Sequence, residues 1–173
     1  ARLSAGAPAD WAVALAPTVH ALRLDSIETM APADSAALAA DIARLASGVA
    51  DSESRFRGLP FAVLAVHRFQ VEGANVVVGR AARRIPQEAT PLEERTLVIG
   101  ERAGSGQFEL KHSMRSSGAE DAVEHYALLA AVRAAEKHFV IIESERDSGT
   151  RYEILERSAG GTWQLRWSRQ LNC

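Results

Sequence analysis

Between residues 61 and 168, apolar and polar side chains alternate with a period of two, which is typical of strands that bury one face. Short turns containing glycine or asparagine separate the alternating runs, as β-hairpins require. The pattern predicts eight strands, at 61–71, 76–85, 96–102, 107–114, 123–133, 139–145, 152–158 and 162–168. Because a long flat sheet leaves exposed edges, such a meander has to bend or close. We therefore predict a mainly β fold, an antiparallel meander forming a curved sheet or barrel.

Residues 32–48 follow a helical period instead. Leu38 and Ile42 lie on one apolar face, Asp34 is the predicted N-cap, and Gly48 is a natural end of the helix. The opposite face consists mostly of alanine, serine and a few charges. This N-terminal helix is therefore predicted to pack on the sheet.

The segment 119–136 fits two structures. Its many alanines and a capping box from Ser117 to Glu120 favour a helix. The regular spacing of the surrounding hairpins favours a strand at 123–133, and we prefer the strand. The helical alternative gives an α+β fold with seven strands and two helices.

Size and composition indicate one globular domain. The chain has 173 residues, and we divide it into an N-terminal segment of uncertain structure, 1–33, and a single β-rich domain, 34–173. A net charge of −2 argues against a nucleic-acid-binding protein, and no apolar run is long enough to span a membrane. The chain begins at Ala1 and contains one cysteine. These features favour an exported protein of the periplasm or cell envelope, with a cytoplasmic protein as the alternative.

Two charged stretches are predicted to lie at the surface. Arg80, Arg83 and Arg84 form a basic strand end that could bind the carboxylates of a partner protein. The connection 83–96 contains two prolines and three glutamates, so it is predicted to be irregular and exposed.

The last strand carries an aromatic stripe. Trp163, Leu165 and Trp167 share one face in a regular strand, where two indoles would complete the core. In a barrel the same stripe could form the wall of a site for a small apolar ligand, which includes Trp163 and Trp167. The sequence favours the core.

Two histidines also lie in phase with apolar residues. His67 and His112 are each predicted to point inwards, as buried imidazoles bonded to a backbone carbonyl or carboxylate. The alternative is a ligand-binding or acid–base pair. No metal-binding or cofactor motif is present in the sequence, so no metal and no cofactor is predicted.

Cys173 is the only cysteine and the last residue. A single thiol in an exported chain suggests a disulfide to a partner chain or to a further segment. Catalysis by this residue is not expected, because a terminal residue is seldom held tightly enough to act as a nucleophile.

These observations rank three functions. The first is a non-enzymatic structural or protein-interaction domain, an exported accessory subunit or envelope protein with a protein partner. The second is a carrier of a small apolar ligand in a barrel or a sheet–helix cavity. The third is a hydrolase-like enzyme that uses an inward-facing histidine, His67 or His112, with a carboxylate.

Overall fold

A computed structural model of the chain describes residues 16, 18–49, 54–87 and 90–172. An α-helix, α1, spans Pro32–Gly48, and a short 3-10 helix spans Ile27–Thr29. The strands are β1 Val19–Ala21, β2 Asp25–Ser26, β3 Ala62–Val71, β4 Ala74–Ile85, β5 Leu92–Ala103, β6 Glu109–Ala119, β7 His125–Ala134, β8 Lys137–Arg146, β9 Gly149–Arg157 and β10 Trp163–Asn172. No helix among the described residues is long and apolar enough to cross a bilayer.

The strands form two antiparallel five-stranded sheets. The inner sheet has the order β2-β3-β4-β5-β6, and the outer sheet has the order β1-β7-β8-β9-β10. The predicted antiparallel meander is confirmed, and it divides into the two sheets between β6 and β7 rather than closing as a barrel. β1 and β2 belong to the sheets as well, so part of the predicted N-terminal segment 1–33 is structured.

The segment 119–136 contains a strand, and the helical alternative is wrong. β7 pairs with β8 along its length, with one bulge between Leu128 and Ala130. Tyr126 and Ala131 on this strand are buried between the sheets. Burial and strand pairing outweigh the helix propensity of the alanines here.

A hydrophobic core fills the space between the two sheets. Phe69 and Trp163 meet there edge to face, with ring centroids 6.4 Å apart. The buried members of this core are Phe69, Val71, Val76, Val78, Leu97, Ile99, Tyr126, Ala131, Val140, Ile142, Leu155 and Trp163. Contributions from both sheets make this a β-sandwich core.

Helix α1 forms a third layer on the other face of the inner sheet. Its buried residues are Leu38, Ile42, Leu45 and Ala46. Gly79 and Gly100 lie beneath the helix, and a Cβ added to Gly100 would stand 2.7 Å from Leu45 Cδ1. The two glycines therefore let the helix approach the sheet closely.

The predicted N-cap of α1 is wrong by one turn. Ala31 occupies the N-cap position, and Pro32 begins the helix. Proline suits the first helical turn because its missing N–H would have no partner there. Asp34 lies in the first turn, where its charge favours the positive end of the helix dipole.

The connection predicted to be irregular at 83–96 is mostly strand. β4 extends to Ile85 and β5 begins at Leu92, and both Glu93 and Glu94 are buried rather than exposed. Cross-strand pairing explains this error, because a glutamate opposite an arginine can be buried with its charge neutralised.

Candidate functional site

The aromatic stripe of the last strand is interrupted by a β-bulge. Trp163 is 3% exposed and faces the core, as predicted, whereas Trp167 is 45% exposed on the opposite face of the outer sheet. The register shifts between Leu165 and Trp167, so Leu165 opposes Leu155 and Trp167 opposes Ile154. The prediction that both indoles share one face is therefore wrong for Trp167, because the extra residue of a bulge reverses the alternation.

His67 and His112 lie in the same transverse row of the inner sheet but are not adjacent. His67 pairs with Val78, Val78 with Ile99, and Ile99 with His112. Three strand spacings of about 4.8 Å separate the two histidine backbones by roughly 14 Å. Burial lowers the pKa of both imidazoles, and a hydrogen bond with the Trp163 backbone partly offsets this for His112. The register thus keeps the two imidazoles apart.

The three arginines of the predicted basic strand end point in different directions. Arg83 is buried, donates from Nε to Glu94 Oε1 at 3.0 Å, and stacks 4.7 Å from the centre of the Phe61 ring. Arg80 donates to the Tyr126 carbonyl at 2.7 Å. Only Arg84 is exposed, and Glu120 neutralises it at 2.8 Å. They do not form one continuous basic surface.

Cys173 lies outside the described residues. Its predicted disulfide stays a prediction.

The densest polar cluster joins the two sheets at one end of the sandwich. Arg157 donates from Nε and Nη2 to the two carboxylate oxygens of Glu101, at 2.8 and 2.9 Å. Trp163 Nε1 donates to Glu101 Oε1 at 2.8 Å, and Arg157 Nη1 donates to Glu72 Oε2 at 2.9 Å. We call this group of Glu101, Arg157, Trp163 and Glu72 the cross-sheet clamp. Hydrogen bonds with Glu101 raise the pKa of Arg157.

A cavity of about 410 Å³ opens beside the cross-sheet clamp. Its lining includes Glu101, Arg157, Glu109, Lys111 and the glycines of two turns. The Glu101 carboxylate already accepts three hydrogen bonds, and Glu109 pairs with Lys111 at 2.9 Å. The geometry is that of a structural tie between the sheets.

A second buried carboxylate, Glu124, gathers donors at the opposite end of β9. Arg151 and Arg146 each approach it to 3.0 Å, and the Tyr126 hydroxyl donates to Glu124 Oε2 at 3.1 Å. Burial raises the pKa of Tyr126, and the neighbouring Glu124 carboxylate raises it further. Arg151 also lies 3.7 Å from Glu153 Oε2, so two carboxylates balance the two guanidinium groups of this cluster.

These clusters were missed by the sequence reasoning, although a signal for them is present. Glu101 follows Leu97 and Ile99 at intervals of two, and Arg157 follows Leu155 in the same way. A charged residue in phase with an apolar stripe indicates a buried ion pair, and a buried Trp163 needs an acceptor for its N–H. Arg157 also lies in a run of alternating charges, 143–157, which by itself favours a solvated hairpin face, yet its side chain is only 12% exposed.

The long edge of the outer sheet is the most unusual surface of the described chain. β10 pairs with β9 on one side, and no described strand pairs with its other side. Among the described residues six large hydrophobic side chains are exposed, and β10 contributes three of them: Leu165, Trp167 and Leu171. Since long edge strands with exposed apolar side chains tend to pair with further strands, the β10 edge is the candidate functional site.

Two rows of side chains cross the outer face of the outer sheet and end at β10. One row crosses the strands as Ala130, Ile141, Ile154 and Trp167. The next row contains Glu143, Tyr152 and Arg169. A hydrogen bond with Glu143 raises the pKa of Tyr152. An apolar row and a polar row therefore both end, unpaired, at β10.

The charged residues of β10 are all basic. β10 contains Arg166 and Arg169 and no acidic residue. Glu156 neutralises Arg166 at 2.8 Å, whereas no carboxylate in the described part of the chain forms a salt bridge with Arg169. The exposed charge available for a partner is thus the guanidinium of Arg169.

No family model matches the chain, and the search of curated proteins and of solved structures finds no significant match. Within the described residues, no group of three or more histidine, cysteine, aspartate and glutamate side chains could hold a metal ion. Only the geometry of the described residues therefore bears on function.

Proposed function

We propose that this protein is a non-enzymatic interaction domain, and that β10 is the element that binds its partner. One observation carries the proposal: a ten-residue strand with an unpaired edge exposes Leu165, Trp167 and Leu171. Large exposed apolar side chains together on one strand favour association, because their burial removes apolar surface from water. An exported accessory subunit or envelope protein is consistent with this role.

The alternatives have less support. The carrier hypothesis needs Trp163 to line an apolar cavity, but its indole packs on Phe69 and is bonded to Glu101. The enzyme hypothesis needs two neighbouring imidazoles, and three strand spacings lie between His67 and His112. The interaction domain requires neither arrangement.

A matched pair of variants tests the proposal. The double variant Trp167→Ser, Leu171→Ser removes the exposed apolar side chains of β10. Leu64→Ser is the control, because Leu64 is 47% exposed but lies on β3 of the inner sheet. Each protein is used as bait in native extracts of the cells that produce it, with circular dichroism to verify folding.

We expect the wild type and Leu64→Ser to retain the same stoichiometric partner, and the β10 variant to lose it. Retention of that partner by a folded β10 variant would show that β10 is not the binding element. A wild-type chain that retains no partner and stays monomeric would contradict the interaction function itself.

A further inference from the structure

The exposed face of β10 has a specific order of side chains. After the bulge, Trp167, Arg169 and Leu171 oppose Ile154, Tyr152 and Thr150 on β9 and lie on the outer face of the sheet. Ser168 and Gln170 alternate with them on the other face. The edge thus presents an apolar, a basic and an apolar side chain at intervals of two residues.

We infer that β10 binds an extended segment of a different protein, with an acidic side chain flanked two residues away on each side by apolar ones. The inference rests on the proposed function and specifies its partner. An added strand would place its own side chains directly beside Trp167, Arg169 and Leu171, at cross-strand distances of about 5 Å. Its carboxylate would pair with Arg169, and its apolar side chains would continue the rows that end at Trp167 and Leu171.

Charge complementarity selects this partner over a basic one. Arg169 has no salt bridge among the described residues, and no acidic residue occurs on β10. Opposite charges directly across neighbouring strands stabilise pairing, and like charges destabilise it. A segment with lysine opposite Arg169 would therefore bind less tightly.

The same arrangement disfavours a second copy of this chain. In an antiparallel β10–β10 pair, the register that sets Trp167 beside Leu171 of the other copy also sets the two Arg169 side chains against each other. A register shifted by two sets Trp167 beside Arg169 and leaves Leu171 beside Leu165, whose side chain the bulge turns to the opposite face. The first register brings like charges together, and the second loses the apolar contacts of Trp167 and Leu171. A different chain with an acidic residue opposite Arg169 avoids both faults and therefore fits this edge better.

Three synthetic ten-residue peptides provide the test. They share a strand-forming sequence with apolar residues flanking one central position, which is glutamate, glutamine or lysine. A fourth peptide is the glutamate peptide with alternate backbone nitrogens methylated on one edge. Binding to the full-length chain is measured by fluorescence anisotropy of the labelled peptides, at low salt.

We expect the glutamate peptide to bind about tenfold more tightly than the lysine peptide, with the glutamine peptide between them, because only glutamate attracts the Arg169 guanidinium. A tenfold difference in affinity corresponds to about 1.4 kcal/mol. Backbone methylation should abolish binding, because an added strand needs its N–H groups. Arg169→Glu should reverse the preference so that the lysine peptide binds more tightly. Arg133→Glu is the matched control, since Arg133 is exposed on β7, three strands away, and should keep the wild-type order.

Each contrary result overturns a stated part of the inference. Equal affinity for the glutamate and lysine peptides, or an unchanged order in Arg169→Glu, refutes the acidic partner. Undiminished binding of the methylated peptide refutes strand addition. A wild-type dimer in sedimentation that Trp167→Ser converts to a monomer identifies a second copy as the occupant. The inference fails in that case, and it also fails if none of the peptides binds. The proposed interaction function is refuted by a different result, a wild-type chain that retains no partner from native extracts and stays monomeric.

Discussion

The cross-sheet clamp should contribute substantially to the stability of the sandwich. Glu101 lies on the inner sheet, whereas Arg157 and Trp163 lie on the outer sheet, so their hydrogen bonds join the two layers directly. Glu101→Gln removes the charge but keeps an oxygen acceptor for the indole N–H. The variant therefore isolates the ion pair from the Trp163 hydrogen bond.

The structure sets the expected magnitude. Removing one partner of a buried ion pair costs about 3–5 kcal/mol, and a hydrogen bond to a charged group contributes about 1.5–3 kcal/mol. Glu72 still neutralises Arg157 at 2.9 Å, but its side chain is 58% exposed, so it compensates only in part. We expect Glu101→Gln to lower the free energy of unfolding by about 2 kcal/mol, and Glu101→Ala by about 3 kcal/mol, since alanine also leaves the Trp163 N–H unpaired.

Urea unfolding followed by circular dichroism measures these changes, because tryptophan emission would respond to the loss of Glu101 itself. Glu109→Gln is the control, since Glu109 carries the same type of salt bridge, with Lys111, on the surface. Its unfolding midpoint should barely change.

A double-mutant cycle with Arg157→Met isolates the interaction. The double variant Glu101→Gln, Arg157→Met should be less destabilised than the sum of the two single variants, by about 1–3 kcal/mol. Strict additivity, or a Glu101→Gln effect as small as that of Glu109→Gln, would refute the view that this ion pair ties the sheets together.

Two further predictions concern packing and pH. Gly79→Ala would place a methyl group against the buried Ile42 side chain and should destabilise the fold by about 1–3 kcal/mol. Gly118→Ala is the control, because a Cβ there meets no atom within 4 Å and the change should be nearly neutral. Thermal melts compare the two variants, and Ile42→Val should partly restore the stability of Gly79→Ala. Because burial lowers the pKa of His67 and His112 in the folded state, the unfolded chain binds more protons below pH 6.5. The free energy of unfolding should therefore fall as the pH drops below that value. Urea titrations at several pH values measure this fall, which should be weaker in the double variant His67→Gln, His112→Gln. An equal fall in the wild type and the double variant would contradict the prediction.

The strands could be predicted from sequence because alternation and turn residues are local signals. Val140, Ile142 and their neighbours reveal a strand without reference to any other segment. The division of the meander into two sheets is a property of the whole chain, since it depends on which strands cover the same core. Glu94 and Arg83 illustrate the same limit, because only the register of β4 and β5 shows that they neutralise each other.

The β10 edge depends on an even less visible feature. A strict alternation places Leu165 and Trp167 on one face, and nothing in the local sequence marks the bulge that separates them. Local patterning therefore predicted an aromatic stripe in the core. In the structure only Trp163 is buried, and both Leu165 and Trp167 are exposed.

The strands at the other three sheet edges differ from β10, and the difference supports β10 as the binding element. The short strands β1 and β2 form one edge of each sheet, and a short edge strand offers few backbone groups for pairing. The long edge strand β6 carries Lys111 and Arg115, charges that discourage further strands, and Arg115 is bound to the buried Glu94 at 3.0 Å. β10 is one residue shorter but exposes two leucines and an indole. Its single unpaired charge, Arg169, opposes self-association without opposing an acidic partner. A fold that protects three edges and leaves the fourth both apolar and selectively charged has the features expected of a surface retained for binding.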